Sequence, residues 1–127
     1  MDLSALRYAK SHEWSAVDGR VVTVGITAFA AEQLGDVTHL QLPKAGAAVT
    51  AGKSFGEIES VKAVFDLYAP VTGTVTEVNA ALLANPEPVQ ADPYGNWMLR
   101  ITLAEGATLD HLMTKPQYDE QLAADAH

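Results

Sequence analysis

Between Gly19 and Pro43 the hydrophobic pattern of the chain changes period twice. "GRVVTVGI" is apolar and β-branched, a strand signal, and "TAFAAEQLG" follows as a short helix with Thr27 as its N-cap and Gly35 just past its end. "DVTHLQLP" returns to alternation, with Val37, His39 and Gln41 opposite Thr38, Leu40 and Leu42, and stops at Pro43. Beyond it the turn signals "PKAG", "TAG", "APVTG" and "NPEP" separate runs too short for helices but suited to strands. "GNWMLRITL" adds a strand through Trp97, Leu99 and Ile101. The end, "TLDHLMTKPQYDEQLAADA", reads as helical, with Pro116 in a first turn and Tyr118 and Leu122 four apart. Many short strands with frequent turns predict a small sandwich or barrel, mainly β with short helices. No linker rich in Gly, Ser or Pro divides the chain, so residues 1–127 read as a single domain with 109–127 as a helical C-terminal extension.

Composition narrows the classes of function. At 127 residues the chain can bury roughly two thirds of its unfolded surface in one core, and 48% hydrophobic with 19% charged residues is the balance of a folded domain. A net charge of −8, with the eight basic residues scattered, argues against nucleic acid, whose phosphates require clustered Lys and Arg. The absence of cysteine removes disulfides, thiol nucleophiles and zinc–thiolate sites. His12, His39, His111 and His127 lie far apart without the spacing of metal ligands. No apolar run approaches the roughly 20 residues that span a bilayer, so no membrane partner is expected. The opening "MDLSALRYAKSHEW" has neither the basic-then-apolar order of a secretory leader nor the Arg-rich character of an import sequence, and a cytoplasmic address is expected.

One lysine stands out. In "GEIESVKAVFDLYAP", Phe55 to Ser60 and Val64 to Tyr68 both suit strands, which predicts a hairpin with Val61 and Lys62 near its tip. A solvated charge on a turn is the plain reading. Two features weaken it: the turn lacks the Gly or Asn that such turns select, and Glu57, Glu59 and Asp66 outnumber the one lysine. An exposed amine on a rigid tip is also what a modifying enzyme needs to read a shape and acylate one nitrogen, removing its charge. Trp14 and Trp97 read as packing residues rather than ligand-binding ones.

"ESVKA", preceded by Gly56 and followed by "DLYAPVTGTVTEVN", resembles the lipoyl-attachment hairpin of the glycine cleavage system H-protein. The likeness extends to "YAKSHEW", "VTVGIT" with "AEQLGDV", "LP" at 42–43, "NPEPV" and "DPYG", covering roughly Leu6 to Leu122. Biotinyl and lipoyl carriers all share the hairpin, but the ordered set is particular to this family. The resemblance implies a flattened barrel-sandwich of two small sheets, the biotinyl/lipoyl-like hybrid motif, with added C-terminal helices. It also implies lipoic acid amide-linked to Lys62 and a carrier that is not itself an enzyme. Glycine decarboxylase would load an aminomethyl group, a folate-dependent aminomethyltransferase would unload it, dihydrolipoamide dehydrogenase would reoxidise the arm, and a lipoate-attaching enzyme would modify Lys62.

The same resemblance implies a cleft in which the loaded arm rests beside acids, at Glu13 in "SHEW" and Asp66 in "KAVFD", with Ser11 as a neighbour. A carboxylate close to the carried amine favours its ammonium form, which lacks the lone pair that would expel ammonia. Each acid could instead be a solvated surface charge. Gly56 and Gly73 match family glycines and imply close strand pairing. Phe65 departs from the small polar residue usual before the aspartate and either lies exposed near the arm or fills the core. "DPYGNWM" is one residue shorter than the family's common spacing. Rival readings are a free-standing lipoyl domain or biotin carrier, which would lack "SHEW" and the C-terminal segment; an octanoyl/lipoyl relay protein of lipoate assembly; and an unmodified interaction module.

Overall fold

A computed structural model describes residues 2–125. After a 3-10 turn at Leu3–Ala5 the elements run β1 (Arg7–Tyr8), β2 (Glu13–Asp18), β3 (Val21–Ile26), α1 (Ala28–Leu34), β4 (Val37–Gln41), β5 (Ala48–Val49), β6 (Ser54–Ser60), β7 (Val64–Tyr68), β8 (Gly73–Val78), α2 (Ala80–Ala84), α3 (Pro88–Ala91), β9 (Leu99–Leu103) and α4 (Lys115–Asp125). A six-stranded sheet has the order β1-β2-β3-β9-β8-β5, and a three-stranded sheet the order β4-β6-β7, all antiparallel. The molecule is therefore mainly β, a flattened sandwich that does not close into a barrel.

Alternation builds the core. Val22, Val24 and Ile26 of β3 point inward with Leu99 and Ile101 of β9, and Val75 of β8 joins them. Close strand approach explains two glycines: a Cβ on Gly56 would lie 2.1 Å from the Gln41 carbonyl oxygen, and one on Gly73 would lie 2.1 Å from that of Thr102. Helix α1 forms as expected, with the Thr27 hydroxyl accepting the Ala30 N–H and Gly35 closing it at φ 72°. It buries Ala30, Ala31 and Leu34 against Leu40, Ile58 and Leu67 of the smaller sheet.

Three local expectations change. Strict alternation sets Val37 and Leu40 on opposite faces, but a bulge between Val37 and His39 turns both inward. The stretch around "NPEP" carries two short helices, α2 and α3, which bury Leu82 and Val89; four or five residues are too few to show a period. The helical extension expected over 109–127 begins only at Lys115, because Met113 first makes an antiparallel bridge to Tyr8. Trp14 is fully buried with Leu6, Tyr8 and Tyr118 and donates its indole N–H to the Pro93 carbonyl at 3.2 Å. Trp97 is partly buried, under the Arg100 guanidinium at 4.0 Å.

Candidate functional site

Lys62 occupies the tip of the β6–β7 hairpin. Glu59 pairs with Val64, and the Ser60 N–H donates to the Ala63 carbonyl at 2.8 Å, which leaves Val61 and Lys62 as the two central residues. Among the described residues only His12 combines a side chain with positive φ, so this turn uses ordinary backbone angles at both positions. The Ser60 hydroxyl does what an Asn or Asp side chain would otherwise do: it accepts the Lys62 N–H at 3.3 Å and the Ala63 N–H at 3.1 Å. The tip is also tethered to the end of α1, since the Val61 N–H donates to the Asp36 carbonyl at 3.3 Å. Lys62 is exposed, and its stem lies over Gly35, where a Cβ would sit 3.3 Å from Cε. Val61, 77% exposed, and Val64 flank it with apolar surface.

On the flank of the same hairpin is a cleft of about 430 Å³ between β7, α1 and the turn entering β2. Strand β7 is an edge of its sheet and β2 belongs to the other, so the cleft marks where the sandwich stays open. Ser11, Glu13 and Asp66, far apart in sequence, all line it. Glu13 is only 1% exposed. One oxygen accepts the Tyr68 backbone N–H at 3.0 Å and the other accepts the Ser11 hydroxyl. The carboxylate thus satisfies an edge-strand donor of one sheet from a strand of the other. Burial pushes the Glu13 carboxyl above its ordinary range, while the Ser11 and Tyr68 donors pull the other way.

Asp66 is exposed at the rim and stands directly opposite Glu57 on β6, so two acids share one face of the hairpin. Phe65 also lines the cleft, 39% exposed, which places the atypical residue beside the site and not in the core. Phe29 and Ile26 complete an apolar wall. Another hollow of about 640 Å³ between Asp36, Thr38, Asn85 and Glu87 is larger, but none of the expected site residues lines it.

The sequence reading missed Phe29, His12, Tyr68 and the turn-making Ser60. Only Ser60 had a local signal, a serine two residues before the turn's second centre. His39 and His111 lie outside the cleft, and His127 lies outside the described residues. No cluster of three His, Cys, Asp or Glu suited to a metal occurs among the described residues.

Fold and site together define a small two-sheet domain that presents one lysine on an ordered hairpin beside a cleft floored by a buried acid. The family model described as "Glycine cleavage H-protein" matches residues 6–125. The glycine cleavage system H protein of Phenylobacterium zucineum is 52% identical over 119 residues, covering 93% of this chain and 98% of that one. That of Beutenbergia cavernae is 58% identical over 103 residues, 80% of this chain and 83% of the relative. A crystal structure of a glycine cleavage system H protein from Mycobacterium marinum superposes with a TM-score of 0.87 at 38% identity, covering 94% of this chain and 98% of that one. The chain belongs to the glycine cleavage H-protein family.

Proposed function

We propose that this chain is the lipoyl-bearing carrier of glycine cleavage, with Lys62 as the attachment point and the cleft beside β7 as the resting place of the arm. The observation that carries the reading is the pairing, on one hairpin, of an exposed amine held by an ordered turn with an apolar-walled, acid-floored cleft. The residues fit a lipoyl group: Lys62 is accessible over Gly35, where a larger side chain would crowd it, and Ile26, Phe29 and Phe65 offer a hydrocarbon chain apolar contact. When bound, lipoic acid supplies a disulfide that can take up a one-carbon amine unit together with two electrons.

The chain's own residues do the remainder. Ser60 and the tether to Asp36 fix where the amine stands, which serves a lipoate-attaching enzyme. Glu13 and Asp66 set negative charge beside a cationic amine, and Phe29 and Phe65 limit water around it. Loading by glycine decarboxylase, unloading by the aminomethyltransferase and reoxidation by dihydrolipoamide dehydrogenase are the partner steps, and the chain itself catalyses none of them. No helix among the described residues is long and apolar enough to cross a membrane; a cytoplasmic address belongs to the proposal.

Reconstitution with the three purified partner enzymes tests it. The lipoylated parent is expected to support glycine-dependent formation of methylenetetrahydrofolate, and Lys62→Arg to support none. Turnover through Lys62→Arg equal to the parent's would end the reading.

A further inference from the structure

Ser11 and Glu13 face the cleft because of the turn that precedes β2, and that turn has a rare backbone. His12 has φ 75°, the left-handed region, which histidine tolerates better than most side chains but which persists only where the surroundings hold it. Its N–H donates to the Ala9 carbonyl and its own carbonyl accepts the Thr27 N–H, both at 3.0 Å. The ring rests on Phe29 at 4.7 Å and meets Tyr118 edge-on at 5.7 Å. Tyr118 arrives from α4, buried and stacked on Tyr8 with ring centres 4.6 Å apart and planes 6° from parallel. Its hydroxyl oxygen lies 2.7 Å from His12 Nδ1 and 2.7 Å from Thr27 Oγ1.

Each hydroxyl has one proton, which gives this chain a direction. Thr27 Oγ1 already accepts the Ala30 N–H and is fully buried. Were Tyr118 to donate to it as well, the Thr27 proton would have no acceptor among the described residues, a costly buried donor. The arrangement that gives both hydroxyl protons an acceptor runs from the Thr27 hydroxyl to Tyr118 and from the Tyr118 hydroxyl to His12 Nδ1. A neutral imidazole that accepts at Nδ1 carries its proton on Nε2.

We propose that Tyr118 is a positioning residue of the cleft: its hydroxyl, which also meets Thr27, holds His12 as the Nε2–H tautomer and clamps the 9–13 turn, so that helix α4 governs where Ser11 and Glu13 stand. That this placement serves an arm on Lys62 rests on the carrier reading; the placement itself does not.

The test uses the protein with Lys62 unmodified. Nitrogen NMR of the His12 ring, at a pH where it is neutral, reads the tautomer. Hydrogen exchange at the Tyr68 amide reads the bond to Glu13. The parent is expected to show the Nε2–H tautomer. Tyr118→Phe, which keeps the ring stack, should populate Nδ1–H and speed Tyr68 exchange about tenfold, the scale of one weakened hydrogen bond. Thr27→Val leaves Tyr118 its proton and should retain the parental tautomer. A parent protonated at Nδ1, a Tyr118→Phe variant with parental tautomer and exchange, or a Thr27→Val variant that switches tautomer overturns the proposal. A Lys62 that never accepts lipoate would instead sink the carrier reading and leave these readouts as they are.

Discussion

At Glu13 a carboxylate is kept where it is poorly solvated. A folded-state acid whose pKa is raised adds stability below its ordinary value of 4.5, and that stability is lost as pH rises through the raised value. Ionised Glu13 therefore weakens the fold at neutral pH. Glu13→Gln, whose amide oxygen can still accept the Tyr68 N–H, is expected to raise stability there. The gain should vanish on acidification below the carboxylate range; thermal unfolding at both pH values reads it, and a destabilised variant at neutral pH would refute the burial argument. The same carboxylate is expected to protect the carried amine. Glu13→Gln should leave lipoylation of Lys62 nearly unchanged yet speed ammonia loss from the glycine-loaded protein without folate, and Asp66→Asn, at the exposed rim, should do so less. Equal ammonia release from parent and both variants would remove these acids from the mechanism. That Glu13, Asp66 and Ser11 would line one cleft was legible through motif resemblance; that the cleft holds the arm is the proposal. The Tyr68 N–H that meets Glu13 was not legible, because a backbone donor 55 residues away leaves no trace in local pattern.

Among the elements, the β6–β7 hairpin depends on which of its two central residues is lysine. The Lys62 stem lies over Gly35, whereas Val61 is tied by its N–H to Asp36. Exchanging the two, Val61→Lys with Lys62→Val, moves the amine off the Gly35 surface, and acylation by a lipoate ligase is expected to fall sharply. Modification at the parental rate would contradict a hairpin that fixes the amine's direction. Helix α4 makes a different prediction. Burial pushes both Tyr8 and Tyr118 up to about 12. The neutral phenols thus favour the folded state below their ordinary value of 10.0, and this contribution is lost as pH rises through about 12. Late tyrosinate absorbance accompanied by loss of helical circular dichroism is expected in that window; phenols that ionise at the ordinary value would show that α4 is not docked through them. Helix α1 and the hairpin could be read from caps and β-branched runs. The β4 bulge and the bridge at Met113 could not, since each is imposed by a distant strand.

For the whole molecule, β7 buries Leu67 in the core on one face while its edge borders the cleft, beside α1 and the turn entering β2. The abundance of short strands announced a small sandwich, but how two sheets part depends on side chains meeting across the cleft, such as Phe29, Phe65 and Glu13, and no single stretch of sequence contains that meeting. The family match explains why ordered motifs carried the reading further than periodicity did. The central claim is that Lys62, among the chain's lysines, bears the arm. Intact-mass analysis and peptide mapping of protein purified from its native host test it directly. The mass is expected to exceed that of the polypeptide by one lipoyl group, located on the peptide containing Lys62. A Lys62 peptide that is unmodified while Lys53 or another lysine carries the group would contradict the account.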